Sequence, residues 1–238
     1  MDDVSLRSRA AFLPVSSTLV VADTHVGRDE ASAVSFPLGE RADLAERLDA
    51  LVDHFDPREV VLAGDVVHTF DSVSARSREG LDELAAVVAD HEAEFVLVTG
   101  NHDTALAGAW DGPLHDEYVL ESPDSDVGGT QTVVCHGHEA PESSADRYVI
   151  GHVHPAIEIE GDRHPCFLHA PDAYRGADVL VLPTFNRLAR GVAVNDADAG
   201  SLNSPFVTEL DRFSPHVYDD VAQETLSFPP LAELRKRL

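Results

Sequence analysis

Five short apolar runs, each closing on polar residues or glycine, mark the chain up to residue 154: STLVVAD (17–23), REVVLAGD (58–65), EFVLVTGN (94–101), TQTVVCHG (130–137) and DRYVIGHVH (146–154). Their length and β-branched content predict strands. Between the first three the apolar spacing changes to the helical period. GERADLAERLDALVDHF (39–55) places Leu44, Leu48, Leu51 and Val52 on one face and is stopped by Asp56-Pro57. SREGLDELAAVVADHEA (77–93) does the same with Leu81, Leu84, Val87 and Val88. Both predict amphipathic helices, and the order predicts β-α-β-α-β with right-handed crossovers.

The second half has another rhythm. Residues 116–134 read as a hairpin, DEYVLE then TQTVV, joined by SPDSDVGG. IEIEGDRHPCFLHA reads as a second hairpin about Gly161-Asp162, followed by strand patterns in ADVLVLPTF and RGVAVN. Strands outnumber helices, which predicts a second, mostly antiparallel sheet packed on the first. From Pro205 the pattern predicts surface structure ending in a short helix, LAELRKRL. With no repeat and no linker, one domain over residues 1–238 is expected.

The strand ends carry the candidate chemistry. The first run ends in Asp23-Thr24-His25, the second in Gly64-Asp65, the third in Gly100-Asn101-His102-Asp103. The fourth ends in His136-Gly137-His138 and the fifth in Gly151-His152-Val153-His154. Ligand sites of α/β sheets form at the carboxyl ends of strands. Residues i and i+2 of an extended strand end point the same way, so Asp23 with His25 can chelate one ion; His152 and His154 are paired likewise, and can serve one ion each if the turn splays them. Singly, each motif reads as an ordinary polar turn. Together, in this order, they predict a metal site. Mixed oxygen and imidazole donors suit Mn, Fe, Zn, Co or Ni and exclude an all-oxygen calcium cage.

Charge changes the setting. The chain of 238 residues has 43 Asp plus Glu against 17 Lys plus Arg, a net charge of -26, and Lys236 is its only lysine. The acid is spread through foldable segments rather than gathered in a tail. This predicts a saline cytoplasm, where self-repulsion is screened within about 3 Å at 1 M salt, and the composition resembles that of haloarchaeal proteins. Net acidity therefore says little against a nucleic-acid ligand. Cys135 and Cys166 are too few for a disulfide framework and suit core packing in a reducing interior. The N-terminal MDDVSLRSRAAFLPV is broken by charges, predicting no signal peptide, and no apolar run approaches a membrane span. A soluble, cytoplasmic protein is expected.

Asp23-x-His25, Gly64-Asp65, Gly100-Asn101-His102-Asp103, His136-Gly137 and Gly151-His152-x-His154 resemble the motif series of the calcineurin-like metallophosphoesterases, over residues about 17–195; 196–238 would be a C-terminal extension. Within that superfamily DTHVGRD, FPLGE, GDVVH and GHVHP followed by VLPTFN look closest to archaeal SbcD-related and ligase-associated phosphoesterases. The resemblance implies a four-layer αββα sandwich of two mixed sheets flanked by helices. It implies two divalent ions, Mn foremost: the first held by Asp23, His25, Asp65 and His154, the second by Asp65, Asn101, His136 and His152. A hydroxide between the ions would attack phosphorus in line. His102 would protonate the leaving alkoxide, with Asp103 orienting its ring. Arg28, His68 and His138 are candidate contacts to substrate or to the ligands. The implied activity is hydrolysis of a phosphodiester, nucleic acid or nucleotide among the candidates. Two alternatives stand beside it: a phosphomonoesterase of a small metabolite, and a scaffold that binds protein partners, which eight filled ligand positions oppose. The oligomeric state is open.

Overall fold

The apolar runs form strands because both of their faces are covered. The structure, a computed structural model, describes residues 3–31, 39–69, 71–121 and 130–237. In β3 (Thr18–Val21) all four residues are buried. Leu19 and Val21 face the helices, whereas Val20 faces the second sheet. β3, β4 (Glu59–Ala63), β5 (Glu94–Val98) and β6 (Leu114–His115) run parallel. Two antiparallel strands, β1 (Ser5–Arg7) and β2 (Ala10–Leu13), complete a six-stranded sheet ordered β1-β2-β3-β4-β5-β6.

Helices α1 (Glu40–Phe55) and α2 (Ala75–Asp90) make the crossovers. Their stripes Leu44, Leu48, Leu51, Val52 and Leu81, Leu84, Val88 close against Leu19, Leu62 and Leu97. Each such burial stabilises by roughly 1.5–3 kcal/mol. The second helix begins two residues before the expected start, because the Ser74 hydroxyl caps it by accepting the Ser77 N–H at 2.9 Å.

The second sheet has seven strands: β7 (Glu117–Val119), β8 (Thr132–Cys135), β9 (Arg147–Ile150), β12 (Phe167–Tyr174), β13 (Ala177–Val181), β15 (Ser214–Asp219) and β16 (Glu224–Ser227), in the order β16-β15-β12-β13-β9-β8-β7. Four of its six pairings are antiparallel, as expected. β7 and β8 pair as the hairpin pattern implies; the SPDSDVGG connection and the FPL of FPLGE lie outside the described residues. Val20, Val61 and Val96 meet Val134, Val149 and Leu180 between the sheets.

The outer face of the second sheet carries the largest corrections. The segment from Pro205 is not surface decoration: Phe206 and Phe213 are fully buried and β15 and β16 extend the sheet. A separate three-stranded sheet of β10 (Pro155–Ile159), β11 (Asp162–Pro165) and β14 (Val192–Ala193) lies beside it. Ile159 pairs with Asp162, so the tight turn is Glu160-Gly161, both at positive φ, rather than Gly161-Asp162. The fourth layer is built from 3-10 turns and the four-residue α3 (Leu231–Leu234). The expected two-sheet α/β sandwich holds, with long helices, among the described residues, on one side only. No helix among the described residues is long and apolar enough to cross a membrane. Cys135 and Cys166 are buried free thiols.

Candidate metal centre

The carboxyl ends of β3, β4, β5, β8 and β9 converge at one edge, and there the backbone is strained. Asp23 (φ 55°), His25 (φ 42°), Asp65 (φ 45°), His152 (φ 64°) and His154 (φ 49°) all occupy the left-handed region. That costs a side-chain-bearing residue about 1–2 kcal/mol, and such strain persists only where the surroundings enforce it. They do. The Asp23, His25 and Val26 amides donate to the Gly64, Asp65 and Val66 carbonyls at 3.1, 2.9 and 2.8 Å. Thr184 Oγ1 donates to the Asp23 carbonyl at 2.9 Å. The buried Asn186 amide donates to the carbonyls of Thr24 (2.9 Å) and His25 (3.3 Å) and to Glu40 Oε1 (2.6 Å). Glu40 in turn accepts the amides of Gly27, Arg28 and Asp29. Asn186 follows VLPTF at the end of β13, and Glu40 opens α1, so two distant segments clamp the first loop. Spacing alone does not reveal either role.

Asp23, His25, Asp65 and His154 bring one ligand atom each to within 4.8 Å of one another. His154 Nε2 stands 3.1 Å from Asp23 Oδ1 and 3.4 Å from His25 Nε2. Asp65 reaches the other way as well: its Oδ2 is 3.8 Å from His25 Nε2, and its Oδ1 is 3.4 Å from His136 Nε2. His136 Nε2 is 3.1 Å from Asn101 Oδ1. The His152 ring lies 5.0 Å from the His136 ring, with its Nε2 3.2 Å from the Asn203 carbonyl. The turn therefore splays the two histidines of GHVHP: His154 joins Asp23 and His25, and His152 joins His136. A Cβ on Gly100 would overlap the Asp65 amide and carboxylate, so glycine is needed there for the close approach.

Electrostatics make this a cation's place. Burial pushes the Asp65 carboxyl up to about 7, and the like charge of Asp23 adds to it. Burial acts in the same direction on Asp23, but His154, His136 and His25 outweigh it and bring it down to about 2. Burial holds His25 at about 2 and His136 at about 3 against the pull of Asp23. His154 moves the other way: Asp23 beside it overcomes the burial penalty and raises its pKa. Neutral imidazoles offer lone pairs, Asp65 lacks a full counter-charge, and His25 Nδ1 is buried without a hydrogen-bond partner. Such a donor set fits divalent ions of intermediate hardness.

His102 borders the cluster: its amide donates to Asp65 Oδ1 at 2.9 Å, its Nε2 is 3.8 Å from Asp65 Oδ2, and its ring is 5.3 Å from His25. His68 stacks near it at 6.0 Å, and Arg28 Nη1 is 3.5 Å from His68 Nδ1. His138 lies 5.0 Å from His136, on the opposite side, beside Glu139. Asp103 departs from expectation. Its carboxylate accepts the amides of Val66 (3.1 Å), Val67 (3.0 Å) and Gly100 (2.8 Å), so it ties the β4 and β5 loops together rather than orienting the His102 ring. Trp110 packs edge-on against Phe95.

A cleft of about 880 Å³ opens along Asn101, His136 and His138, with Asp116, Glu117, Glu139 and Glu142 among its walls. A model of the family described as calcineurin-like phosphoesterase matches residues 16–187. Among solved structures, the fold is similar to the nuclease MPE of Pseudomonas putida, with TM-score 0.63 and 23% identity over 94% of each chain. Yfce, a phosphoesterase from E. coli, aligns with TM-score 0.46 and 14% identity over 90% of this chain and 98% of that one. None of the curated proteins matches the sequence.

Proposed function

The chain belongs to the calcineurin-like phosphoesterase family, a hydrolase of phosphoric esters, and from that premise we propose that it cleaves a phosphodiester at a centre of two divalent ions, manganese foremost. The carrying observation is the convergence of Asp23, His25, Asp65 and His154 on one point, with Asp65 also facing His136. In this reading Asp23, His25, Asp65 and His154 hold one ion, and Asp65, Asn101, His136 and His152 the other. Two such ions, when bound, acidify a water for attack on phosphorus and offset charge on the phosphoryl oxygens. The chain's own work is to fix geometry and handle the proton. The strained strand ends set the donors in place before substrate arrives. His102, half-buried beside Asp65, gives its proton to the leaving oxygen, and the Arg28–His68 pair flanks it as an anion contact. Asp103 positions this group through the backbone.

Nuclease activity is one form of this reading, supported by the likeness in motifs to SbcD-related and ligase-associated phosphoesterases; the acidic composition supports work in a saline cytoplasm. A second reading, a phosphoesterase of small metabolites, draws on the acidic cleft wall of Asp116, Glu117, Glu139 and Glu142, which repels a polyanionic strand. The test compares bis-p-nitrophenyl phosphate with p-nitrophenyl phosphate in multimolar salt with added Mn, using His102→Ala as control. Diester cleavage that depends on His102 is expected. Monoester cleavage alone transfers the case to the second reading, and no bound metal with no cleavage overturns both.

A further inference from the structure

Arg9 is a half-buried cation with no ion pair among the described residues. It sits in the β1–β2 turn, where Ser8 (φ 43°) and Arg9 (φ 71°) are both in the left-handed region. Its Nη1 donates to the Thr184 and Asn186 carbonyls at 3.1 and 3.3 Å. Among the described residues no carboxylate comes within ion-pairing distance of it. The nearby acids are engaged elsewhere: Asp43 by Arg187 at 2.7 Å and Arg47 at 2.8 Å, Asp220 by the Ser8 hydroxyl at 2.5 Å, and Asp219 by the amides of Val221 and Ala222. Burial, with Arg47 and Arg187 close by, pushes the Arg9 guanidinium down to about 10. Buried charges in proteins are ordinarily paired. Here Asp43 and Asp220 act on Arg9 only from beyond ion-pairing distance.

Arg9 opens onto a pocket of about 380 Å³, lined also by Arg187, Phe167, Pro183 and Phe228 and by Asp219 and Asp220, whose Oδ1 atoms accept from the Val221 and Ala222 amides and from the Ser8 hydroxyl. Ligand pockets run from roughly 300 to 1,000 Å³ and combine apolar walls with a few placed polar groups. A guanidinium fork matches a phosphate better than a point anion such as chloride. We propose that this pocket binds a small organic phosphate, whose phosphate group pairs with Arg9 and Arg187 and whose apolar body lies against Phe167, Pro183 and Phe228. It is separate from the metal centre but shares a wall with it: Thr184 accepts from Arg9 through its carbonyl and donates to the Asp23 carbonyl through its hydroxyl. The volume favours a small molecule over a nucleic-acid strand.

The probe is AMP, titrated calorimetrically into the metal-loaded protein beside adenosine and inorganic phosphate. The expected result is AMP binding at least tenfold tighter than either fragment. It should weaken at least tenfold in Arg187→Ala, an exposed position safe for folding, and in Arg9→Gln, yet persist in Asp65→Asn. Absence of AMP binding overturns the proposal. So does binding lost in Asp65→Asn and unchanged in Arg187→Ala, which would locate AMP at the metal centre. Arginine-dependent binding of a single-stranded oligonucleotide without binding of AMP also overturns it, in favour of a strand. The metal-centre reading stands or falls separately, on metal content and hydrolysis.

Discussion

The two donor sets of the candidate centre are built to different standards. Asp23, His25 and Asp65 are almost without solvent exposure, at 0%, 2% and 3%, and with His154 they already stand within 4.8 Å of one another. Of the donors that belong to the other side alone, His136 is buried, Asn101 is exposed, and His152 turns its Nε2 toward the Asn203 carbonyl. Both sets share Asp65. The difference follows from the supports. Three donors of the first set, Asp23, His25 and Asp65, hang on adjacent parallel strands β3 and β4, clamped by Thr184, Asn186 and Glu40, and His154 alone reaches it from the second sheet. The second is assembled from three loops across two sheets. A preformed set binds without reorganising, whereas a looser one must order on binding. If the centre holds the two proposed ions, the first is therefore expected to bind tightly and the second more weakly.

The hardest blow to this comparison is Asp65→Asn, which touches both sets. It should remove both ions and leave activity below about 0.1%, a loss exceeding the 10²–10³-fold typical of one electrostatic contact; metal analysis and diester hydrolysis check it. His102→Ala should lower kcat by about 10²–10⁴-fold while both ions stay bound, separating proton transfer from metal binding. His152→Ala should release one ion and keep the other, whereas His154→Ala should loosen the tight one; metal retained after dialysis against a weak chelator distinguishes them. Gly100→Ala should cost about 1–3 kcal/mol of stability, read by urea denaturation, together with weaker Mn binding, because its methyl group intrudes on Asp65. The mildest change, Glu139→Gln, should raise cleavage of single-stranded DNA relative to a small diester by a few-fold, and no more.

The same contrast separates what the sequence discloses from what it hides. Strands such as TLVV and helices with Leu44, Leu48 and Leu51 in register are legible because one local period states both the element and its buried face. The strand-end motifs are legible because runs of Asp, Asn, His and Gly after apolar strands have little packing use. β1 and β2 are not, being three and four residues long with Arg7 and Arg9 interrupting the pattern. The burial of Phe206 and Phe213 depends on partners far along the chain, which no local period encodes. Long-range polar contacts are equally silent: the resemblance implies that Asp103 orients the His102 ring, yet its oxygens go to the amides of Val66, Val67 and Gly100.

The most direct measurement is a manganese titration of the metal-free protein, followed by bound metal per chain and by electron paramagnetic resonance. Two ions per chain are expected, the first bound more tightly, with a spin-coupled spectrum at saturation if Asp65 serves both. A single ion per chain, or two ions without magnetic coupling, would contradict this reading.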